Sequence, residues 1–236
     1  MAIITRAGKG SALTHVEMDN NFVELNTIPS GQTYPSAQNI GVQLSGITTQ
    51  GFGWHDIIGY INVPASNPSG ATETIYRGGI RIYQFNEGDD AQVNFHMPHD
   101  YLQGSDMFIH VHWSHNSTFV TGGTVTWGME IMYAKGHNQA SFNEPVLTPV
   151  TQEASTAQYR HMIAETPMSV AGGSSGVLID TNDLEVDGII QVRLYLDSND
   201  MLVSSGIKPD PFAHFVDVHY QSTGLPTLNK APNFWT

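Results

Sequence analysis

Cysteine is missing from all 236 residues, which excludes a disulfide framework, thiol catalysis and a thiolate zinc site. Charge is also scarce: charged residues make up 13% of the chain, about half the usual share for a soluble domain. Basic residues are scarcest, 9 Lys+Arg against 22 Asp+Glu, for a formal net charge of −13. That balance argues against nucleic acid or anionic membrane as a partner, because phosphate binding needs clustered Lys and Arg. No apolar run reaches the ~18 residues of a membrane span, and the start of the chain lacks the apolar stretch of a signal peptide. These absences predict a soluble protein that is not classically secreted. What remains is a chain with 40% hydrophobic residues, 23 Gly and 12 Pro, whose surface must be built from Ser, Thr, Asn, Gln and Gly. Such a surface suits a β-rich extracellular or virion protein. The length fits one large β domain, or an ordinary domain with an added arm, and is ample to bury a core.

The first local signal lies at residues 13–26. Thr14 followed by Glu17 is a capping box, and Leu13 with Met18 forms a hydrophobic staple. Met18, Phe22 and Leu25 then fall on one apolar stripe over roughly three turns, and Pro29 with Ser30-Gly31 ends the helix. A helix this short is marginal alone. Its stripe packs either on its own domain or against other copies in an assembly. Residues 1–30 therefore read as an attachment arm with a short helix, and residues 31–236 as the main domain.

Beyond residue 30 the pattern changes. Segment 31–71 is rich in Gly, Ser, Pro, Asn and Thr, with extended pieces around Ile57–Val63. Period-two alternation then predicts strands near Thr74–Phe85, Ala91–His96, Met107–Trp113, Thr124–Ala134, Val177–Asp180, Ile189–Leu196 and His214–Gln221. The alternation is cleanest where Ile190, Val192, Leu194 and Leu196 interleave with Gln191, Arg193 and Tyr195. Turns are expected at Gly122-Gly123, Gly172-Gly173, Asn86–Asp89 and Ser198–Asp200, and a long polar loop at 135–176. The expected fold is all-β: an antiparallel jelly roll or β-sandwich with a short N-terminal helical arm.

Chemistry concentrates between Gly104 and Gly123. His110 and His112 would point to one face of a strand, about 7 Å apart, where two neutral imidazoles could share a metal. Gly104, His110, His112 and Gly123 resemble the first motif of the cupins, which are metal-binding jelly rolls, although Asn116 stands where that family has a carboxylate. The second cupin motif has no match around His214 or His219. The resemblance implies a cupin-like metal-dependent enzyme. The plainer reading makes Phe108, His110 and His112 one strand face, with the imidazoles hydrogen-bonded across strands. By parity His214 and His219 fall on opposite faces, so at most one would join such a cluster. His96 and His99 flank Pro98 and read as exposed. The acidic stretch Asp180–Gly188 reads as a solvated turn rather than a calcium loop. No nucleophile elbow, phosphate loop or HExxH is present, and no catalytic residue or cofactor is expected.

The opening of the chain is similar to a segment of tailed-bacteriophage virion proteins, in which a Gly-Lys-Gly-Ser-x-Leu-Thr piece runs into a Glu-x-Asp-x-Asn-Phe-x-x-Leu-Asn helix. Gly8-Lys9-Gly10-Ser11, Leu13-Thr14, Glu17, Asp19, Asn21-Phe22 and Leu25-Asn26 carry the match, over about a tenth of the chain. The resemblance implies a non-enzymatic virion subunit, a homotrimer anchored to capsid or tail by its N-terminal arm. The compact chain, without a repetitive shaft, ranks capsid decoration or head fibre above tail fibre. Leu13, Thr14, Glu17, Met18, Phe22 and Leu25, with the terminal pair Phe234-Trp235, are the expected attachment or subunit contacts. Host glycan is the alternative partner, with Trp54, Tyr101 and Trp113 as candidate aromatic platforms.

Overall fold

The computed structural model describes residues 53–174 and 176–234. Among them no helix occurs, and none long and apolar enough to cross a membrane. The arm at 1–30, its helix, and Trp235 lie outside the described residues.

Alternation decides the architecture. A strand whose every second residue is apolar must bury one face, and two such sheets satisfy each other. The first sheet contains β1 (Gly53–Gly59), β2 (Thr72–Arg77), β3 (Ile80–Gln84), β5 (Phe108–Ser114), β9 (Met162–Pro167) and β13 (Phe212–Ser222). Its order is β2-β3-β13-β5-β9. β5 runs along one edge of β13, while β3 and β1 share the other edge end to end. The second sheet contains β4 (Asp90–His96), β6 (Val120–Ala134), β7 (Val146–Leu147), β8 (Val150–Glu153) and β12 (Ile189–Val203), ordered β4-β12-β6-β7 with β8 also on β6. All these pairings are antiparallel. A small parallel pair, β10 (Ser169–Val170) and β11 (Ile179–Asp180), closes one corner.

The core lies between the sheets. In β12, Ile190, Val192, Leu194 and Leu196 are buried and pair in register with Tyr133, Ile131, Met129 and Trp127 of β6. Facing them are Ile109, Val111 and Trp113 of β5 with Val216 and Val218 of β13. Trp113 meets Trp127 across the sandwich, edge to face at 6.4 Å, and Phe85 caps Trp127 at 5.2 Å. The expected all-β sandwich is therefore observed in the described residues.

Several local expectations are corrected. Residues 135–176 do not form one long loop. They contain β7, β8, β9 and β10, strands of two to six residues, so their alternation is too brief to read in sequence. Gly122-Gly123 lies inside β6 rather than at a turn. A Cβ on Gly123, at φ +89°, would sit 2.1 Å from the Asp200 carbonyl oxygen, so glycine lets β12 approach. Ser198–Asp200 likewise continues β12, where a bulge between Leu196 and Ser198 absorbs the irregularity. The first strand pairs over Gly53–Gly59, slightly earlier than the extended piece expected at 57–63.

Candidate functional site

Each sheet has an outer face, and the two differ in chemistry. On the first sheet β5 contributes Phe108, His110, His112 and Ser114, as its parity predicts. Their cross-strand neighbours on β13 are His219, Asp217 and Phe215, and on β9 Pro167, Glu165 and Ile163. β1 adds Trp54, Asp56 and Ile58 opposite Gln221, His219 and Asp217.

His214 and His219 do not fall on opposite faces, contrary to the parity reading. A bulge between Ala213 and Phe215 inserts one residue opposite β5 and shifts the phase of β13. His214 then bonds Ser114 Oγ at 2.8 Å, while the His219 ring lies 3.9 Å from that of His110. Five imidazoles, His110, His112, His161, His214 and His219, thus gather on one face around Asp217 and Glu165.

Their bonding is specific. His161 Nε2–H donates to His112 Nδ1 at 2.7 Å, and His112 Nε2–H donates to Asp217 Oδ2 at 3.1 Å. His110 Nε2–H donates to Glu165 Oε2 at 2.7 Å, and its Nδ1 lies 3.1 Å from Asp217 Oδ1. His219 Nε2 pairs with Asp56. His110, His112 and Asp217 are 3%, 6% and 4% exposed. Burial alone would raise the Asp217 carboxyl, yet His110 and His112 hold it far below the usual carboxylate range. Burial would lower His110, and the carboxylates of Asp217 and Glu165 outweigh it, so its imidazolium is favoured. His214 has no such partner: burial, then the neighbouring His161 and His112, push it down to about 4.

The metal pair expected from His110 and His112 is not the one assembled. Their rings are 6.2 Å apart, and His112 spends both nitrogens on His161 and Asp217. The trio whose ligand atoms lie within 4.8 Å of one another is His110, Asp217 and His219. The sequence reading missed Asp217, although Asp217-x-His219 repeats the spacing of His110-x-His112. Pairing of β5 with β13, which makes the two motifs neighbours, is a long-range event without a local signal.

The outer face of the second sheet is amide-rich. Gln92 and Asn94 of β4, Gln191, Arg193 and Tyr195 of β12, and Glu130 and Met132 of β6 stand on it. Arg193 Nε donates to Asp90 Oδ2 at 2.6 Å and Nη1 to Glu130 Oε1 at 3.1 Å, and its guanidinium lies 4.9 Å from the Tyr195 ring centre. The Tyr195 ring occupies the space above Gly128, where a Cβ would meet it at 2.1 Å. Asn62, Gln92, Asn94, Glu130, Gln191 and Arg193 line a groove of about 330 Å³, to which Tyr195 does not contribute.

The candidate aromatics divide. Trp54 is half exposed and packs edge to face on Phe108 at 5.6 Å. Tyr101 and Trp113 are fully buried and cannot serve as platforms. Tyr101 OH donates to the Ser105 carbonyl, and Trp113 Nε1 to Gln152 Oε1, both inside the sandwich. Phe234 is also buried, against His99 and His137 of its own chain, so its ring is not presented to a neighbouring subunit. His96, His99 and His137 all approach the Asp187 carboxylate, at 3.6, 2.7 and 2.8 Å, which makes the acidic stretch partly an imidazole clasp rather than an idle turn.

No known protein family and no curated protein matches the chain. Similar solved structures include a xylan-binding module, CBM15, with 9% identity and a TM-score of 0.34 over 73% of this chain and 99% of that one. A family 11 carbohydrate-binding module from Clostridium thermocellum, in complex with a mixed-linked tetrasaccharide, has 15% identity and a TM-score of 0.28, covering 72% and 88%. The Eiger TNF from S. frugiperda has 9% identity and a TM-score of 0.26, covering 75% and 98%. At scores this low the likenesses say nothing about this chain's ligand.

Proposed function

We propose that this protein is a non-enzymatic subunit of a tailed-bacteriophage virion, a capsid decoration or head-fibre protein that assembles as a homotrimer. Residues 1–30 mount it on the major capsid protein or a tail or connector protein, and the β-sandwich projects. The observation that carries this reading is the string from Gly8 to Asn26. The sandwich supports it with unsatisfied apolar surface: Trp54, Ile58 and Ile163 are 50%, 56% and 42% exposed on the outer face of the first sheet. Exposed apolar side chains of this size favour burial between copies, since apolar area removed from water stabilises association. Light scattering of the purified chain tests the trimer. A species near 77 kDa, three times the 25.8 kDa chain, is expected; a monodisperse single chain at micromolar concentration overturns it. Deleting residues 1–30 is expected to abolish incorporation into particles.

A second reading, recognition of a host-surface glycan, rests on the groove of the second sheet. Asn62, Gln92, Asn94, Gln191, Arg193 and Glu130 offer amide and charged groups along one groove. Amide and charged donors and acceptors of this kind match sugar hydroxyls, and the volume lies in the range of small-ligand sites. A glycan array with the wild type and Arg193→Ala tests it. Binding that Arg193→Ala leaves unchanged, or no binding at all, removes this reading.

A further inference from the structure

We propose that the outer face of the first sheet binds one divalent transition-metal ion, zinc above all, through His110 Nδ1, Asp217 Oδ1 and His219 Nδ1. The proposal rests on neither functional reading, although subunit contact through Trp54, Ile58 and Ile163 would cover part of the same face. Two strands build the site: β5 presents His110, and β13 presents Asp217 and His219 two residues apart on the same face.

Three observations converge there. First, one nitrogen or oxygen from each of the three side chains falls within 4.8 Å of the others, so small rotamer adjustments reach the separations a tetrahedral zinc needs. Second, Asp217 Oδ1 is buried and makes no hydrogen bond among the described residues. His110 Nδ1 lies 3.1 Å away but off the hydrogen-bond line. A buried carboxylate oxygen that receives no hydrogen bond is costly, and an ion held between it and His110 Nδ1, in place of that imidazole's proton, would satisfy it. Third, the other nitrogen of each imidazole is already held by a carboxylate: His110 Nε2 by Glu165, and His219 Nε2 by Asp56. This outer-shell arrangement is typical of ligating histidines, because it fixes the ring and directs the free nitrogen at the metal. His112 completes the shell by donating to Asp217 Oδ2, leaving Oδ1 for the ion.

Imidazole and carboxylate donors together suit zinc, copper, nickel or cobalt rather than calcium or magnesium, which take oxygen-only sets. Three protein ligands leave a fourth position open. It faces the side of His219, the one member of the trio that is partly exposed, so an ion has an entry route. The clasp around Asp187 is not an equivalent site. Asp187 Oδ1 and Oδ2 lie 2.7 and 2.8 Å from an imidazole nitrogen, at His99 and His137, so neither is left without a hydrogen bond, and three at least partly exposed rings share a single carboxylate.

The test is calorimetric titration of the chelator-stripped, full-length chain with Zn²⁺, together with Co²⁺ absorption and NMR. One ion per chain is expected. Asp217→Asn and His219→Gln should each weaken binding by at least about tenfold, and Glu165→Gln by about tenfold. His96→Gln should leave it unchanged. Because Asp217→Asn could unfold the chain, the wild type carries a second readout: Co²⁺ should first broaden the imidazole resonances of His110 and His219. Absence of saturable binding at micromolar Zn²⁺, unchanged affinity in a folded Asp217→Asn, or broadening confined to His96, His99 and His137 overturns the proposal.

Discussion

On the outer face of the first sheet, His110 and Asp217 are nearly sealed from water by their own neighbours, Glu165, His219 and Phe215. On the outer face of the second sheet, Gln191 and Arg193 stay half exposed along an open groove. Both faces come from the polar phase of alternating strands. They differ in what those phases carry. Imidazoles and carboxylates close over one another in short bonds, whereas amides beside a guanidinium leave spare donors and acceptors. The first face therefore binds its polar groups to one another, and the second leaves more of them facing solvent.

The largest expected effect separates the faces by stability. In metal-free protein, Asp217→Ala strands His110 and His112 in a buried setting and should cost about 3–5 kcal/mol in urea denaturation. Arg193→Ala, on the wetter face, should cost about 1 kcal/mol. Equal losses would erase the contrast. Next in size, Gly128→Ala drives a methyl into the Tyr195 ring, whose far end can move aside. Stability should fall by less than about 1 kcal/mol, while any glycan affinity drops by about tenfold as Arg193, which rests on that ring and lines the groove, shifts. Retained affinity would place the site elsewhere.

Acid sharpens the comparison further. Because His214 is held at about 4 when folded, against 6.5 for the ordinary group, the unfolded chain binds more protons between those values. The stability present above pH 6.5 therefore declines as pH falls through that window, and His214→Gln should flatten the decline in urea midpoint against pH. His110 acts in the opposite sense. Its raised value stabilises the fold below 6.5, and that contribution is lost as pH rises through it. The smallest effect is expected from Trp54→Ala, about 0.5–1 kcal/mol, since half of the ring is exposed and its ring contacts among the described residues are with Phe108 and His219. A larger loss in the assembled protein than in dilute monomer would mark Trp54 as a subunit contact.

Much of the sandwich was legible because alternation is local. Ile190, Val192, Leu194 and Leu196 point inward as their spacing requires, as do Val125, Trp127, Met129 and Ile131. The same spacing put His110 and His112 on one face. Legibility ended where strands were too short to alternate, as in β7 and β10, or where an extra residue changed phase. The bulge at His214 reversed one parity argument, and Tyr101 and Trp113 were read as surface aromatics because composition does not say which face of a strand meets the other sheet.

From sequence alone came the absence of thiol chemistry, the acidic balance, the all-β class and the inward residues of the long strands, since each depends on composition or on neighbours two residues apart. Only the tertiary structure decided that β13 lies between β1 and β5. That placement joins Asp217 and His219 to His110 across more than a hundred residues. Strand order and bulge position arise from packing between distant segments, and no local spacing encodes them.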